Sequence, residues 1–395
     1  MSQLLNERWS ETKEALLEGL SGNRRSSMQV CLENTRKYLS EAATGGATSS
    51  GNVATLNRVI LPVIRRVMPT VIANEIIGVQ PMTGPVGQIH TLRVRYADSS
   101  SGDGIVAGEE ALSPFKIAAA YSGNNADATP RAAATSQLEG QPGKRMSIQI
   151  LKAPVEAKSR KLSARWTFEA AQDAQAQQGI DIDIEAEIMA ALAQEITVEI
   201  DQEILTSLRG LASVEQSYDQ SLVSGTATFV GDEHAALAIQ INRVSNLIAQ
   251  RTRRGAGNWA VVSNQALTIL QSATTSAFAR TTEGTFEAPT NTKFVGTLNG
   301  AMKIFVDSYK ADSDDNNQVL IGYKGTSEAD APAFYCPYIP LMSSGVVLDP
   351  STFEPVVGFL TRYGYVELSN TASSLGNAAD YLGKVAIVSS TVSFK

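Results

Sequence analysis

The side chains best suited to acid–base or metal chemistry are scarce in this chain and lie far apart. Its 395 residues include only two histidines, His90 and His234, and two cysteines, Cys31 and Cys336. A zinc site needs about four such ligands at short spacings, and the sequence contains no C-x-x-C, H-E-x-x-H or H-x-E pairing. We therefore expect no metal, no cofactor and no catalytic residue, and we expect both cysteines to be unpaired apolar fillers.

Two further segments match ligand-binding motifs only in part. The glycine-rich segment 102–108 reads G-x-G-x-x-x-G, which differs in spacing from the dinucleotide fingerprint and is not followed by a helical pattern. The polar run that begins at Asp312 has Asn317 where a calcium loop needs glycine and Tyr323 where it needs glutamate. We interpret the first segment as a loop and the second as a polar turn between strands.

Charge is the most unusual chemical feature of the chain. The segment 166–208 carries ten carboxylates and no Lys or Arg, and a basic ribbon over 144–165 precedes it. Either the two regions are separate solvated surfaces, or they meet within or between subunits and thereby set register and partner choice. The residues that could form such inter-subunit contacts are Lys144, Arg145, Lys158, Arg160, Lys161, Arg165, Glu195, Glu199 and Glu203.

A second basic site is the turn that contains Arg251, Arg253 and Arg254 next to Gly255 and Gly257. Its arginines indicate a solvated turn or a further inter-subunit contact, and contact with a polyanion is the alternative.

Periodic patterns predict the elements that position these charges. Apolar residues at strict four-residue intervals from Ile184 to Leu208 predict a long amphipathic helix over 181–208. Alternation predicts a strand over 86–96. Further patterns predict helices over 235–250 and 264–272, and strands over 146–153, 259–262, 302–306, 318–323, 353–368 and 381–392. This mixture indicates the α+β class.

Two segments of the chain suit a subunit better than a monomer. Residues 98–143 are rich in Gly, Ser, Ala, Asn and Pro and lie between two predicted strands, which predicts an extended hairpin arm. Residues 1–40 predict two amphipathic helices, and 42–54 predicts a flexible linker. The helices have little sequence of their own to pack on, and the linker cannot hold them rigidly. We expect them to dock elsewhere and to act during assembly.

Length and composition exclude several classes of protein. The chain is long enough for about two or three lobes, and its hydrophobic content of 43% indicates a folded protein. No apolar run approaches the roughly 18 residues of a membrane span, and the first residues do not predict a secretory signal. The net charge of −7 argues against a protein that coats nucleic acid with its whole surface.

Several motifs resemble those of one known family. The segment 63–97, with VIRRVMPTVIANEIIGVQPM followed by a Gly-Pro turn and a strand, resembles the signature segment of T-even-type major capsid proteins of tailed bacteriophages. The segment 155–205 is similar to the basic strand and long spine helix of that family. Shorter motifs match in the same order: RTRRGAGNWAVVSNQAL (251–267), MKIFVDSYK (302–310), VLIGYKG (319–325), YCPYIPL (335–341) and FEPVVGFLTRYG (353–364).

The resemblance implies the HK97-type capsid fold with a defined domain layout. It implies an N-terminal arm over 1–54, an extended loop over 98–150, a peripheral domain over 55–97 and 151–232 that holds the spine helix, an axial domain over 233–344, and C-terminal strands over 345–395 that return to both domains. The extended loop would lie over a neighbouring subunit. Leu39-Ser40-Glu41 resembles the family's processing pattern, so cleavage would fall between Glu41 and Ala42.

The implied function is that of a non-enzymatic shell protein in the virion, assembled in the cytoplasm of the host bacterium. Its copies would form hexamers and pentamers of an icosahedral head around double-stranded DNA, which they would touch weakly and without specificity. Further partners would be scaffold, portal, vertex or decoration proteins and a prohead protease, with no membrane. The alternatives are the pentamer-forming vertex paralogue, an encapsulin-like compartment subunit and, from another class, a soluble bacterial enzyme.

Overall fold

The computed structural model describes the following parts of the chain: residues 9, 13, 14, 16, 17, 20, 22–45, 72–100, 104–109, 111, 121–123, 132, 133, 135–140, 143–167, 184–223, 230–252, 254–273, 278–280, 293–309, 317–326, 330–352, 354–369 and 377–388. The helices are α1 (Gly22–Gly45), α2 (Ala73–Ile76), α3 (Thr135–Leu138), α4 (Ile184–Leu211), α5 (Gln220–Val223), α6 (Val230–Thr252) and α7 (Asn264–Ser272), with a 3₁₀ turn at Ala378–Tyr381.

The strands are β1 (Gly78–Val79), β2 (Val86–Tyr96), β3 (Met146–Glu156), β4 (Lys158–Arg165), β5 (Val214–Tyr218), β6 (Trp259–Val262), β7 (Phe278–Arg280), β8 (Lys293–Leu298), β9 (Met302–Val306), β10 (Gln318–Gly322), β11 (Ala333–Ser343), β12 (Val347–Leu348), β13 (Pro355–Glu367) and β14 (Leu382–Ile387). The α+β class predicted from the sequence is confirmed.

Three sheets organise the described residues. In the five-stranded sheet, β13 pairs with β4 on one side. On its other side β13 pairs with both β11 and the short strand β12. β1 pairs with β11. The seven-stranded sheet has the order β5-β14-β10-β6-β9-β8-β7, and the two-stranded sheet is the β2–β3 hairpin. Both faces of the seven-stranded sheet contribute to apolar cores.

Helix α4 supplies much of the main core, as its periodicity predicts. Ile196, Ile200, Ile204 and Leu208 are all buried, and they belong to one apolar cluster with Phe359 and other residues of the five-stranded sheet. Because β13 alternates between buried and half-buried residues along its length, one face of that sheet packs on the core and the other stays partly open.

Helix α1 packs on distant segments of the same chain, so its apolar stripe docks elsewhere in the sequence as expected, but the expectation that the N-terminal helices are not held against the main body is wrong. Met28, Cys31 and Leu32 are fully buried in the main apolar cluster. The side-chain amide of Asn34 donates to the backbone carbonyls of Met82, at 2.7 Å, and Tyr338, at 3.0 Å. The apolar residues of α1 are buried against distant segments of the same chain, and local sequence patterns do not show which segments these are.

The end of α1 also shortens the predicted linker. The helix continues to Gly45, so residues 42–45 are helical, which agrees with the good helix propensity of Glu41 and the alanines that follow it. Residues 46–54 lie outside the described residues. The candidate processing bond between Glu41 and Ala42 therefore lies within a helix, and cleavage there stays a prediction.

Two strands pair with partners from other predicted domain segments, and the domain layout itself stays a prediction. β11 falls within the predicted axial segment 233–344, yet it pairs with β1 and β13 in the five-stranded sheet. β5 falls within the predicted peripheral segment 151–232, yet it pairs in parallel with β14 in the seven-stranded sheet. Proximity in sequence does not fix a strand's sheet, because both strands pair with partners far along the chain.

Candidate assembly surfaces

The predicted strands on either side of the glycine-rich segment form the β2–β3 hairpin, and its role as an extended arm over a neighbouring subunit stays a prediction. Its two strands pair without a register shift from Val86 opposite Glu156 to Tyr96 opposite Met146. Successive side chains of a strand point to opposite faces, so Met146, Ile148 and Ile150 follow one another along one face of β3. Their exposed fractions are 51%, 70% and 60%. Such a row of exposed apolar side chains on one strand marks an interaction surface.

The far end of the arm has a small core of its own. Tyr96, Ile105, Ala111 and Tyr121 are buried together, and the two tyrosine rings lie 4.5 Å apart. The Tyr121 hydroxyl donates to the backbone carbonyl of Arg145 at 2.7 Å. This cluster holds part of the glycine-rich segment in place, although its sequence shows no regular periodicity.

A charged cluster joins the basic ribbon to the acidic helix within one chain. The Arg160 guanidinium of β4 donates to Glu199 of α4 at 2.7 Å and also to Glu203. Its Nε donates to the Tyr363 hydroxyl of β13 at 2.6 Å, and that hydroxyl in turn donates to Glu203. The cluster therefore ties the long helix to two strands of the five-stranded sheet.

The same cluster keeps its acid charged. Burial alone would raise the pKa of Glu203, but the hydrogen bonds donated by Arg160 and Tyr363 outweigh it and hold the pKa below its usual value. Burial is also the main reason that the pKa of Tyr363 is raised. Charge-assisted bonds of this kind are about twice as strong as neutral ones, so the cluster fixes the orientation of β4 on α4.

Other residues singled out in the sequence also have partners in the same chain. Arg145 contacts Asp98 at 3.5 Å, Arg165 contacts Glu354 at 3.8 Å, and Arg251 contacts Glu215 at 2.7 Å. Arg254 pairs with Asp330, and the Lys144 ammonium lies 5.2 Å from the centre of the Tyr121 ring. Lys158, Lys161 and Glu195 are exposed. Arg253 lies outside the described residues. An inter-subunit role for any of these residues stays a prediction.

A buried polar seam between α4 and the end of β9 was not expected from the sequence. One Asp201 carboxylate oxygen accepts from the Ile72 backbone N–H at 2.9 Å, and the other has no hydrogen bond within the described structure. Asp307 accepts from Gln202 at 2.7 Å and from Arg209 at 2.8 Å. The seam links the long helix to the seven-stranded sheet and to the segment that starts α2.

The sequence did contain a signal for the burial of Asp201. The residue lies in a second four-residue row of α4, whose other members are uncharged and buried: Met189, Ala193, Thr197 and Leu205. A charge in such a row faces the core. Burial, followed by the nearby charge of Asp307, raises the pKa of Asp201 to about 8, and the hydrogen bond from Ile72 opposes this only in part.

Both cysteines and His234 are buried, whereas His90 is exposed. Cys31 and Cys336 are both free and buried, and burial raises the pKa of each to about 12. His90 is exposed on β2, and His234 is hydrogen-bonded to Ser272 at 2.5 Å. Within the described ranges, no group of three or more His, Cys, Asp and Glu residues could hold a metal ion. No described helix is long and apolar enough to cross a membrane.

One family model and several curated capsid proteins match this chain. The family model for "Major capsid protein Gp23" matches residues 53–140 and 120–387. The major capsid protein of Vibrio phage KVP40 is 30% identical, over 84% of this chain and 80% of its own. That of Enterobacteria phage T4 is 27% identical, over 90% of this chain and 87% of its own. The mature capsid of bacteriophage PhiM1 aligns with a TM-score of 0.43 at 11% identity, over 78% of this chain and 84% of that one.

The family match covers both the strand-rich body and the arm, which are the parts that carry the surfaces described above. It also agrees with the motifs in 63–97 and 155–205. The chain belongs to the Gp23 major capsid protein family.

Proposed function

We propose that this chain is the major capsid protein of a tailed bacteriophage, whose copies assemble into hexamers and pentamers of an icosahedral head around double-stranded DNA. The observation that carries the proposal is the family match over most of the chain. It is supported by the exposed apolar face of the β2–β3 arm, which a chain acting alone would leave in water. The chain would then be part of the virion and would act as a structural protein without an enzymatic reaction.

The proposed partners follow from the same surfaces. Further copies of the chain would cover the arm, and many modest contacts acting together would hold the shell. Scaffold, portal, vertex or decoration proteins and a prohead protease belong to the proposal as partners in assembly. Contact with DNA would be weak and non-specific, because the net charge of the chain is −7 and like charges repel.

A single substitution on the arm tests the proposal. Ile148→Asp places a charge in the exposed apolar row, whereas Ser147→Asp places the same charge on the opposite face of the same strand, where Ser147 is also exposed. Both changes should leave the isolated subunit folded, because exposed substitutions usually alter stability by about 0.5 kcal/mol or less. We expect wild-type protein and Ser147→Asp to sediment as shells when expressed with a scaffold, and Ile148→Asp to sediment as small species.

The proposal would be contradicted if wild-type protein, expressed with a scaffold or recovered from virions, never entered large closed particles. Equal assembly of Ile148→Asp and Ser147→Asp would contradict the role assigned to the apolar face of the arm.

A further inference from the structure

A groove crosses the face of the five-stranded sheet that points away from α4. Its volume is about 440 Å³, and its lining includes Lys161, Ser163, Met342, Ser344, Gly358 and Leu360. Leu162 and Ala164 of β4, together with Val357 and Phe359 of β13, pack toward the main core. Because successive side chains of a strand point to opposite faces, their neighbours Lys161, Ser163, Gly358 and Leu360 lie on the opposite, open face.

Gly358 forms the floor of this groove and has no side chain to fill it. The backbone conformation at this position does not require glycine. Its backbone is not in the left-handed region, and an added Cβ would meet its nearest neighbour, Ser344 Oγ, at an ordinary distance of 3.5 Å. Glycine inside a strand normally weakens it, and it often marks a place where another group approaches closely. What glycine provides at this position is space.

An exposed apolar tip follows directly after the groove. Val346, Val347 and Leu348 are 41%, 56% and 53% exposed. The tip is held in shape: Gly345 turns the chain with a φ of 70°, and Val347 and Leu348 pair with β13 as strand β12. A short strand edge next to three exposed apolar side chains is typical of a protein–protein interaction site.

The charges beside the two features are complementary. Lys161 is exposed on the wall of the groove, and Asp349 follows the tip, where it accepts hydrogen bonds from the backbone and hydroxyl of Ser351 at 2.9 and 2.7 Å. These bonds are the main reason that the pKa of Asp349 is lowered, so its carboxylate stays ionised at neutral pH. A groove that combines the apolar side chains of Met342 and Leu360 with a cation on its wall therefore suits an apolar tip that carries an anion.

We propose that the tip 346–348 of one copy inserts into the groove of a neighbouring copy, with Asp349 of the first beside Lys161 of the second. The inference rests on the proposed function, because it needs copies of the chain to meet in a shell. Tip and groove are different surfaces of the same chain, so the contact is heterologous and can close into a ring of copies.

Filling the groove tests this contact. Gly358→Val adds a side chain that the backbone accepts and that favours a strand, so the isolated subunit should fold with an unfolding temperature at or above that of the wild type. We expect the fraction of protein that sediments as shells to fall at least tenfold. Wild-type yields from folded Gly358→Val would overturn the proposal.

A second measurement does not depend on filling the groove. Copies with Met342→Cys and copies with Val347→Cys are co-expressed, and the shells are oxidised. The native cysteines are buried and do not compete. We expect covalent dimers when both variants are present and none from either alone. Shells that form from the mixture without such dimers would overturn the proposal. Failure of the wild type to form shells would instead overturn the proposed function, and this inference with it.

Discussion

At the scale of single residues, Asp201 is the group whose chemistry departs most from its surroundings. Only 1% of the residue is exposed, and one carboxylate oxygen has a hydrogen bond from Ile72 while the other has none within the described structure. A buried charge without a full set of partners destabilises the folded state. Protonation removes that charge, which is why the pKa of Asp201 is raised to about 8.

The raised pKa has a direct consequence for stability. Between the usual carboxyl pKa of 3.8 and about 8, the folded state holds a proton that the unfolded state has lost. Stability from this group is therefore complete below the lower value and is lost as the pH rises toward the upper one. Asp201→Asn keeps the acceptor for Ile72 and cannot ionise. We expect this variant to show a flatter pH dependence of stability. At pH 9 its free energy of unfolding should be higher than that of the wild type by about 1–3 kcal/mol.

The measurement is urea unfolding of dissociated subunits at pH 6 and pH 9. Glu195→Gln is the matched control, because Glu195 is an exposed carboxylate on the same helix, and it should follow the wild type. If Asp201→Asn and the wild type lose stability in parallel as the pH rises, the assignment of a buried neutral acid is wrong.

At the scale of elements, the regular patterns of the sequence predicted the elements that depend on local spacing. Alternation located β2, and helical periodicity located α4 and α7, because one face of each element is buried. β11 was not predicted as a strand, and it contains Pro337 and Pro340, which weaken a strand pattern. The sheet accommodates this segment with shifts of register on either side of Ile339, and those shifts depend on its partner β13.

For the candidate surfaces too, the sequence predicted features that depend on local residue order and missed those that depend on distant partners. The sequence predicted the arm and the charge ribbons, because composition and residue order define them. It offered a meeting of the two charged regions as one alternative, but it could not predict that Arg160 pairs with Glu199 and Glu203 within one chain, that Gly358 opens a groove, or which segments α1 packs on. Each of these depends on which distant segments become neighbours.

The docking of α1 leads to a prediction for that helix. Leu32 is fully buried among residues of the main core, so Leu32→Ala should lower the free energy of unfolding by about 2–5 kcal/mol. Gln29 is exposed on the same helix, and Gln29→Ala should change stability little. Equal urea midpoints for the two variants would show that α1 does not pack on the body in solution.

At the scale of the whole molecule, the described chain presents surfaces that a monomer would not need. The arm displays Ile148 and Ile150 to solvent, and the tip 346–348 displays three more apolar side chains. Meanwhile Arg160 and its acidic partners are satisfied within the chain. We therefore expect apolar contacts to contribute most of the stability of the assembly and the remaining exposed charges to select its register.

The most direct test of this account is electron microscopy of the particles that the full chain forms with a scaffold, or of the virions that contain it. The account predicts closed shells in which every copy's β2–β3 arm lies over another copy. A protein that stays monomeric under those conditions, or particles in which the arm contacts no other subunit, would contradict it.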